Sequence, residues 1–249
     1  MMFRTNEKLY LLDRNGNEVK QLSFPINSNF SNIPISIFDY EKNRNYRFLI
    51  SVDNKINMYD SNGKIVSGFR PPIFKSKIIN NPVHIRINGK DYIVVQLEDG
   101  SLKILDRRGR DRIIVDNKIQ YSGNSIYSYL EQFTTTDKLG NLIKIDTKGN
   151  LIKENINLSV ENFIDIVDNN IVYLNENRLT IKGIDVELPF SKFSKPKIFI
   201  DSKTTLVSIT DLTNNEIYLY RDNGKLVKGF PIKGLSLIHI SEPTRPSLI

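Results

Sequence analysis

The chain of 249 residues contains no cysteine, no tryptophan and no alanine, and only two histidines. Without cysteine there is no disulfide, no thiolate nucleophile and no cysteine-based zinc site. Cysteine-free chains occur on both sides of a membrane, so the compartment stays open. Alanine is the best helix former, and no segment carries a sustained helical period. No apolar run approaches the roughly 18 residues of a membrane-spanning helix. The start, Met1-Met2-Phe3-Arg4-Thr5-Asn6-Glu7, has no apolar stretch of the kind that makes a signal peptide. If Met1 is not the natural start, such a segment would simply be missing. Neither a Walker pattern nor a Gly-x-Gly-x-x-Gly loop is found, which removes the usual phosphate cradles.

What the chain has is a recurring hairpin. Ile56–Gly68 reads as a strand (Ile56, Met58, Tyr59, Asp60), a turn at Ser61-Asn62-Gly63 and a strand from Lys64. Asn-Gly between apolar runs favours a tight two-residue hairpin turn, because both residues tolerate positive φ. Copies occur at Leu9–Gly16, Leu102–Gly109, Leu142–Gly149 and Ile217–Gly224, with a shortened one at Leu179–Gly183. The turn glycines 16, 63, 109, 149, 183 and 224 are spaced by 47, 46, 40, 34 and 41 residues. A period near 40 residues, rich in Ile, Val, Tyr and Phe, predicts an all-β β-propeller of four-stranded blades.

The pattern divides into five full blades at 33–69, 82–115, 120–154, 161–188 and 196–230. Residues 8–27 supply two further strands of an incomplete closing blade, giving six blades in an intact ring. Tyr92-Ile93-Val94-Val95 is apolar throughout, as expected of a strand covered on both faces. Lys64–Phe69 and Lys225–Pro231 share a Gly-Phe ending, expected to terminate the outer strand because proline cannot continue a ladder. From Leu235 the hairpin pattern stops. Leu235–Pro246 resembles a translated sequencing adapter of the kind that ends chains assembled from environmental DNA. The expected organisation is therefore a propeller over 1–234, cut at its C-terminal side, followed by a non-native tail over 235–249. His239 falls in that tail and is set aside.

The chemistry-bearing residues are few. Lys and Arg number 35 against 28 Asp and Glu, a net charge of +7 with the signs interspersed. That balance describes a solvated surface better than a nucleic-acid footprint. The densest basic stretch is Arg107-Arg108-Gly109-Arg110-Asp111-Arg112 on a hairpin tip, the place where an anionic polymer would bind. Asp13–Gly16 and Asp60–Gly63 begin like calcium loops. An EF-hand glutamate is missing, since the twelfth positions are Phe24 and Pro71, so the aspartates read as turn formers. His84 lies in an inner strand between Val83 and Ile85 with no nucleophile indicated. Asp165 and Asp168 flank one strand end, with Asp185 and Glu187 nearby in sequence. No residue is assigned a catalytic, cofactor-binding or metal-ligating role, and no cofactor is expected.

The stretches Tyr59-Asp60-Ser61-Asn62-Gly63 through Gly68-Phe69 and Arg221-Asp222-Asn223-Gly224 through Gly229-Phe230-Pro231 resemble the repeats of quinoprotein-like and FG-GAP-like β-propellers. The richness in Ile, Lys and Asn is similar to that of flavobacterial envelope proteins in which such a propeller ends a longer chain, some of them labelled ribonuclease HII. The resemblance implies a shared fold and a periplasmic or cell-envelope location. It does not extend to redox chemistry, because quinoprotein dehydrogenases carry a cofactor-stacking tryptophan, nor to the clustered carboxylates of a ribonuclease HII. The expected function is a non-catalytic scaffold that binds a protein or ligand on the propeller face. The alternatives are a glycan hydrolase built from loop carboxylates, which needs two of them about 5–10 Å apart, or anionic-polymer binding through residues 107–112.

Overall fold

A computed structural model describes residues 2–234 except 5–7, 13–14, 24–34, 42, 44, 53, 62–63 and 202–203. The tail 235–249 and its adapter-like sequence lie outside the described residues, as does Asp13. Every regular element described is a strand, and the strands form six antiparallel sheets taken in chain order. The first holds β1 (Met2–Arg4), β2 (Lys8–Leu12) and β3 (Glu18–Ser23). The second holds three strands, β4 (Ser36–Phe38), β5 (Arg47–Val52) and β6 (Lys55–Asp60); where a full blade was expected over 33–69, only a single bridge from Tyr59 to Ile65 stands at the fourth-strand position.

Four complete four-stranded sheets follow. They are β7 (Val83–Ile87), β8 (Lys90–Gln96), β9 (Leu102–Leu105) and β10 (Asp111–Ile113); β11 (Tyr127–Tyr129), β12 (Gln132–Thr136), β13 (Asn141–Ile145) and β14 (Leu151–Asn155); β15 (Asn162–Val167), β16 (Asn170–Asn175), β17 (Arg178–Ile181) and β18 (Ile184–Glu187); and β19 (Lys197–Asp201), β20 (Thr204–Asp211), β21 (Glu216–Arg221) and β22 (Ile232–Lys233). Each sheet is a simple meander, the blade pattern of a β-propeller.

The chain divides into two compact units: Met1–Ile126 with Glu131–Phe133 and Lys144–Ile152, and Tyr127–Leu130 with Thr134–Ile143 and Lys153–Ile249. Each has its own core. In the first unit Leu49, Ile56, Met58, Ile93, Val95 and Leu105 are buried together with Phe69 and Phe74. In the second, Val172, Leu179, Ile181, Val207 and Ile209 pack with Phe193 and Tyr220. Strand β8 is buried at six consecutive positions, as its apolar run requires.

Three further expectations are corrected. Residues before Lys8 do contribute a strand: Met2, Phe3 and Arg4 pair with Leu11, Tyr10 and Leu9, because the backbone N–H and C=O groups of a sheet edge can take on even three extended residues. The Asp-x-x-Gly hairpins are not two-residue turns. The Gly149 N–H donates to the Asp146 carbonyl and the Asp146 N–H to the Asn150 carbonyl, which places three residues in the loop, with Gly149 at φ +94 forming the bulge. The aspartate selects this form: Asp146 Oδ1 accepts the N–H groups of Lys148 and Asn150 at 2.8 and 2.9 Å, and Asp106 and Asp137 do the same in their turns. Finally, Gly-Phe interrupts the outer strand instead of ending it. After the loop at Gly68-Phe69 the chain returns, with the Ile56 N–H donating to the Pro72 carbonyl and Ile73 bridging Lys55. After Gly229-Phe230, β22 returns to pair with Glu216 and Ile217.

Candidate functional site

The two features singled out in the sequence, His84 and the 107–112 hairpin, meet at one carboxylate. Asp91 is the second residue of β8, just after the Asn88-Gly89 turn. In the β7–β8 register Arg86 faces Asp91 and Ile93 faces His84, so His84 is the diagonal neighbour of Asp91. Its Nε2 lies 2.7 Å from Asp91 Oδ1. Arg107, at the β9–β10 turn, donates Nε to Asp91 Oδ2 at 2.8 Å and adds a second bond from its terminal nitrogen. Arg107 also donates to Glu41 Oε1 at 2.8 Å. Arg112 donates to the Asp91 backbone carbonyl at 2.9 Å and lies over the Tyr92 ring.

The surroundings are aromatic. Tyr40 meets the His84 ring edge-on at 4.8 Å, and the Arg107 guanidinium sits 4.5 Å from the Tyr40 ring centre. Asp91 is only 4% exposed. Burial pushes its pKa up, but the bonds from His84 and Arg107 outweigh it and hold the carboxyl below the ordinary carboxylate range. Burial raises the Tyr40 phenol far above its usual value.

Chemically this cluster is a closed ion-pair network. Its bases and acids are matched to one another inside the chain, and Arg110 is likewise held by Asp106 at 2.7 Å. Three of the four arginines of the basic hairpin thus have internal carboxylate or carbonyl partners, which disfavours an anionic-polymer site there. His84 is a satisfied strand histidine. Asp91 was legible in principle, from the seven-residue separation across an Asn-Gly hairpin. Glu41 and Tyr40 carry no such signal, because they reach the cluster from a different sheet.

Asp165 and Asp168 do not converge with Asp185 and Glu187. Asp165 is buried on β15, and its Oδ2 accepts the Ile198 N–H of β19 at 2.8 Å. Asp168 occupies the turn after β15 with φ +44. Asp185 and Glu187 lie on β18, three strands away in the order β15-β16-β17-β18, or about 14 Å at ordinary strand spacing. That separation disfavours a hydrolytic pair. Asp60 behaves as a turn former, accepting the Lys64 N–H at 2.9 Å.

No family model matches the chain, and no curated protein matches it. Solved structures do. The chain is similar to BBS1N in its complex with ARL6DN, with 13% identity, TM-score 0.59, and coverage of 92% of this chain and 79% of that one. It is similar to BamB from Moraxella catarrhalis at 14% identity and TM-score 0.58, covering 92% and 72%. The chain is a β-propeller. A third likeness is to PorZ, described as an essential bacterial surface component of the type-IX secretion system of Porphyromonas gingivalis. It has 14% identity and TM-score 0.54, and the match spans 93% of this chain and 31% of that one. Such identities establish the propeller fold and nothing finer. Among the described residues no helix is long and apolar enough to cross a membrane.

Proposed function

We propose that this propeller is a non-catalytic scaffold that binds a protein partner in the periplasm or cell envelope. The observation that carries the reading is the display of large apolar side chains on turns and linkers, led by Phe190 at 95% exposure. A folded chain gains by covering such groups, and a surface that leaves them in water is suited to a partner. The buried carboxylates Asp91 and Asp165 are engaged within the chain. The structures it resembles are consistent with this role, since BBS1N was solved with ARL6DN bound and PorZ is a surface component of a secretion system.

The test is reconstitution. The chain is used to capture partners from an envelope fraction, each candidate is purified, and the binary complex is titrated by calorimetry. A stoichiometric complex in the micromolar range or tighter supports the reading. Failure of every purified candidate to bind directly overturns it.

A further inference from the structure

The second unit carries a surface whose chemistry selects its partner. In each sheet the turn joining the second and third strands and the linker leaving the fourth strand share one end. Four large apolar side chains of the second unit are exposed on these segments: Leu139 at 64%, Val160 at 62%, Phe190 at 95% and Leu212 at 43%.

Hydrogen bonds join these segments side by side. The Gly140 carbonyl, one residue from Leu139, accepts the N–H groups of Ile156 and Leu158. Ser159, beside Val160, donates its N–H to Asn175 Oδ1 at 2.7 Å. Leu188 donates its N–H to the Asn177 carbonyl at 2.7 Å, and Leu212 donates to the Lys192 carbonyl at 2.7 Å. The β16–β17 turn, to which Ser159 and Leu188 are bonded, lines a cleft of about 400 Å³ together with β18; its residues are Asn175, Glu176, Asn177, Arg178, Asp185 and Glu187.

Phe190 is carried on an anchored backbone. It follows Pro189 at the tip of a segment pinned on both sides: Leu188 is buried and bonded to Asn177, and the Ser191 hydroxyl donates to the buried carboxylate of Asp211 at 2.5 Å. Asp211 also accepts the N–H groups of Thr213 and Asn214, both at 2.9 Å. A segment whose backbone is held this way loses little backbone freedom on binding.

The charge beside it runs against the rest of the molecule. The chain carries +7 overall, yet the cleft holds three carboxylates and one arginine, with Lys192 two residues after Phe190 in sequence. Resting on the scaffold reading above, we infer that this surface docks a basic protein segment, one that places Lys or Arg in the cleft and an apolar pocket over Phe190.

The probes are two fluorescein-labelled peptides of equal length, one alternating Lys and Leu, the other Glu and Leu. Each is titrated by anisotropy at about 0.15 M salt, where long-range steering is screened. The net charge of the chain alone would favour the Glu-Leu peptide. The inference expects the Lys-Leu peptide to bind more tightly. It expects about tenfold weaker binding in Phe190→Ser and in the Glu176→Gln/Glu187→Gln double variant, and unchanged binding in Leu130→Ser. Melting temperatures check that the variants are folded. Preference for the Glu-Leu peptide, or undiminished binding by Phe190→Ser, overturns it. So does self-association of the chain that Phe190→Ser abolishes, which would assign the surface to a second copy. A purified partner that still binds Phe190→Ser overturns this surface and leaves the scaffold reading standing. Charge-selective peptide binding without any partner complex does the reverse.

Discussion

The ring of Phe69 covers Gly109 so closely that a Cβ at 109 would come within 3.1 Å of Phe69 Cε2 and 2.5 Å of the Arg70 carbonyl oxygen. The neighbouring Arg70 N–H donates to the Arg108 carbonyl at 2.9 Å. The outer strand of one blade is thereby seated on the third-to-fourth strand turn of the next. The same seat recurs at Gly149 beneath the Ile114 carbonyl, and at Gly224 beneath Ile184 and Val186.

Gly109→Ala and Gly149→Ala should therefore be among the most damaging small substitutions. Each adds a collision with backbone to the cost of positive φ, which is itself about 1–3 kcal/mol. Gly183 also has positive φ, at +81, but nothing lies within 4 Å of its Cβ position. Thermal melts should rank Gly183→Ala as clearly milder than either of the others, and equal losses would remove the seat from the account.

Asp91→Asn tests the ion-pair network. It keeps the shape but weakens the bonds from His84 and Arg107 and leaves the guanidinium short of a buried countercharge. A loss of about 2–3 kcal/mol is expected from denaturant titration. Arg110→Met, which removes an exposed pair with Asp106, should cost under about 1 kcal/mol.

The β11–β12 turn is built against its own residues. Leu130 and Glu131 take φ +48 and +60, where a two-residue hairpin turn favours Asn-Gly. Leu130 is also 56% exposed. The double change Leu130→Asn/Glu131→Gly should stabilise the fold by about 1–2 kcal/mol, raising the melting temperature by about 2–8 °C. A lower melting temperature would mean that these side chains hold the turn in place.

Acid should unfold the protein through its turn aspartates. Burial works to raise the Asp211 pKa, but bonds from Ser191, Asn214 and Thr213 prevail and bring it to about 2. Asp91 and Asp106 are lowered against the same opposition from burial. Asp99 is lowered chiefly by Lys118, and Asp146 chiefly by Asn150. A carboxylate with a depressed folded pKa contributes stability above its unfolded value, near 4, and loses it as pH falls through the folded one. Melting temperature should therefore hold from pH 7 to about 5 and fall between about 4 and 2. Asp211→Asn should flatten that fall, and an unchanged acid profile in this variant would show that Asp211 is not part of it.

The propeller was legible because its signal is repeated. A period of about 40 residues, marked by Asp-x-x-Gly, places the strands to within a few residues, and β7, β9 and β17 lie where the apolar pattern puts them. Those same motifs point to the wrong turn type. Asn-Gly suggests two residues, whereas the aspartate three positions before the glycine accepts backbone N–H groups that close a wider loop. The outer strands were the other weak point. Gly-Phe-Pro reads as an ending, and only the pairing of Ile232 with Ile217 shows that the strand resumes. At the site, His84 and Asp91 are coupled through a local hairpin and could be paired by register. Glu41 and Arg107 are 66 residues apart and meet only through the packing of two sheets, which no local pattern encodes. Phe190 stands out only once the structure shows what does not cover it.

The interrupted outer strands also bear on how the protein behaves in a crowded compartment. A long, straight and unpaired sheet margin is a template on which other chains can add without limit. Two of the margins are broken in this way: β10 has three residues and β22 only two, and Gly68-Phe69 and Gly229-Phe230 bend the chain away before pairing can extend. Margins of that length offer a further chain little backbone on which to add.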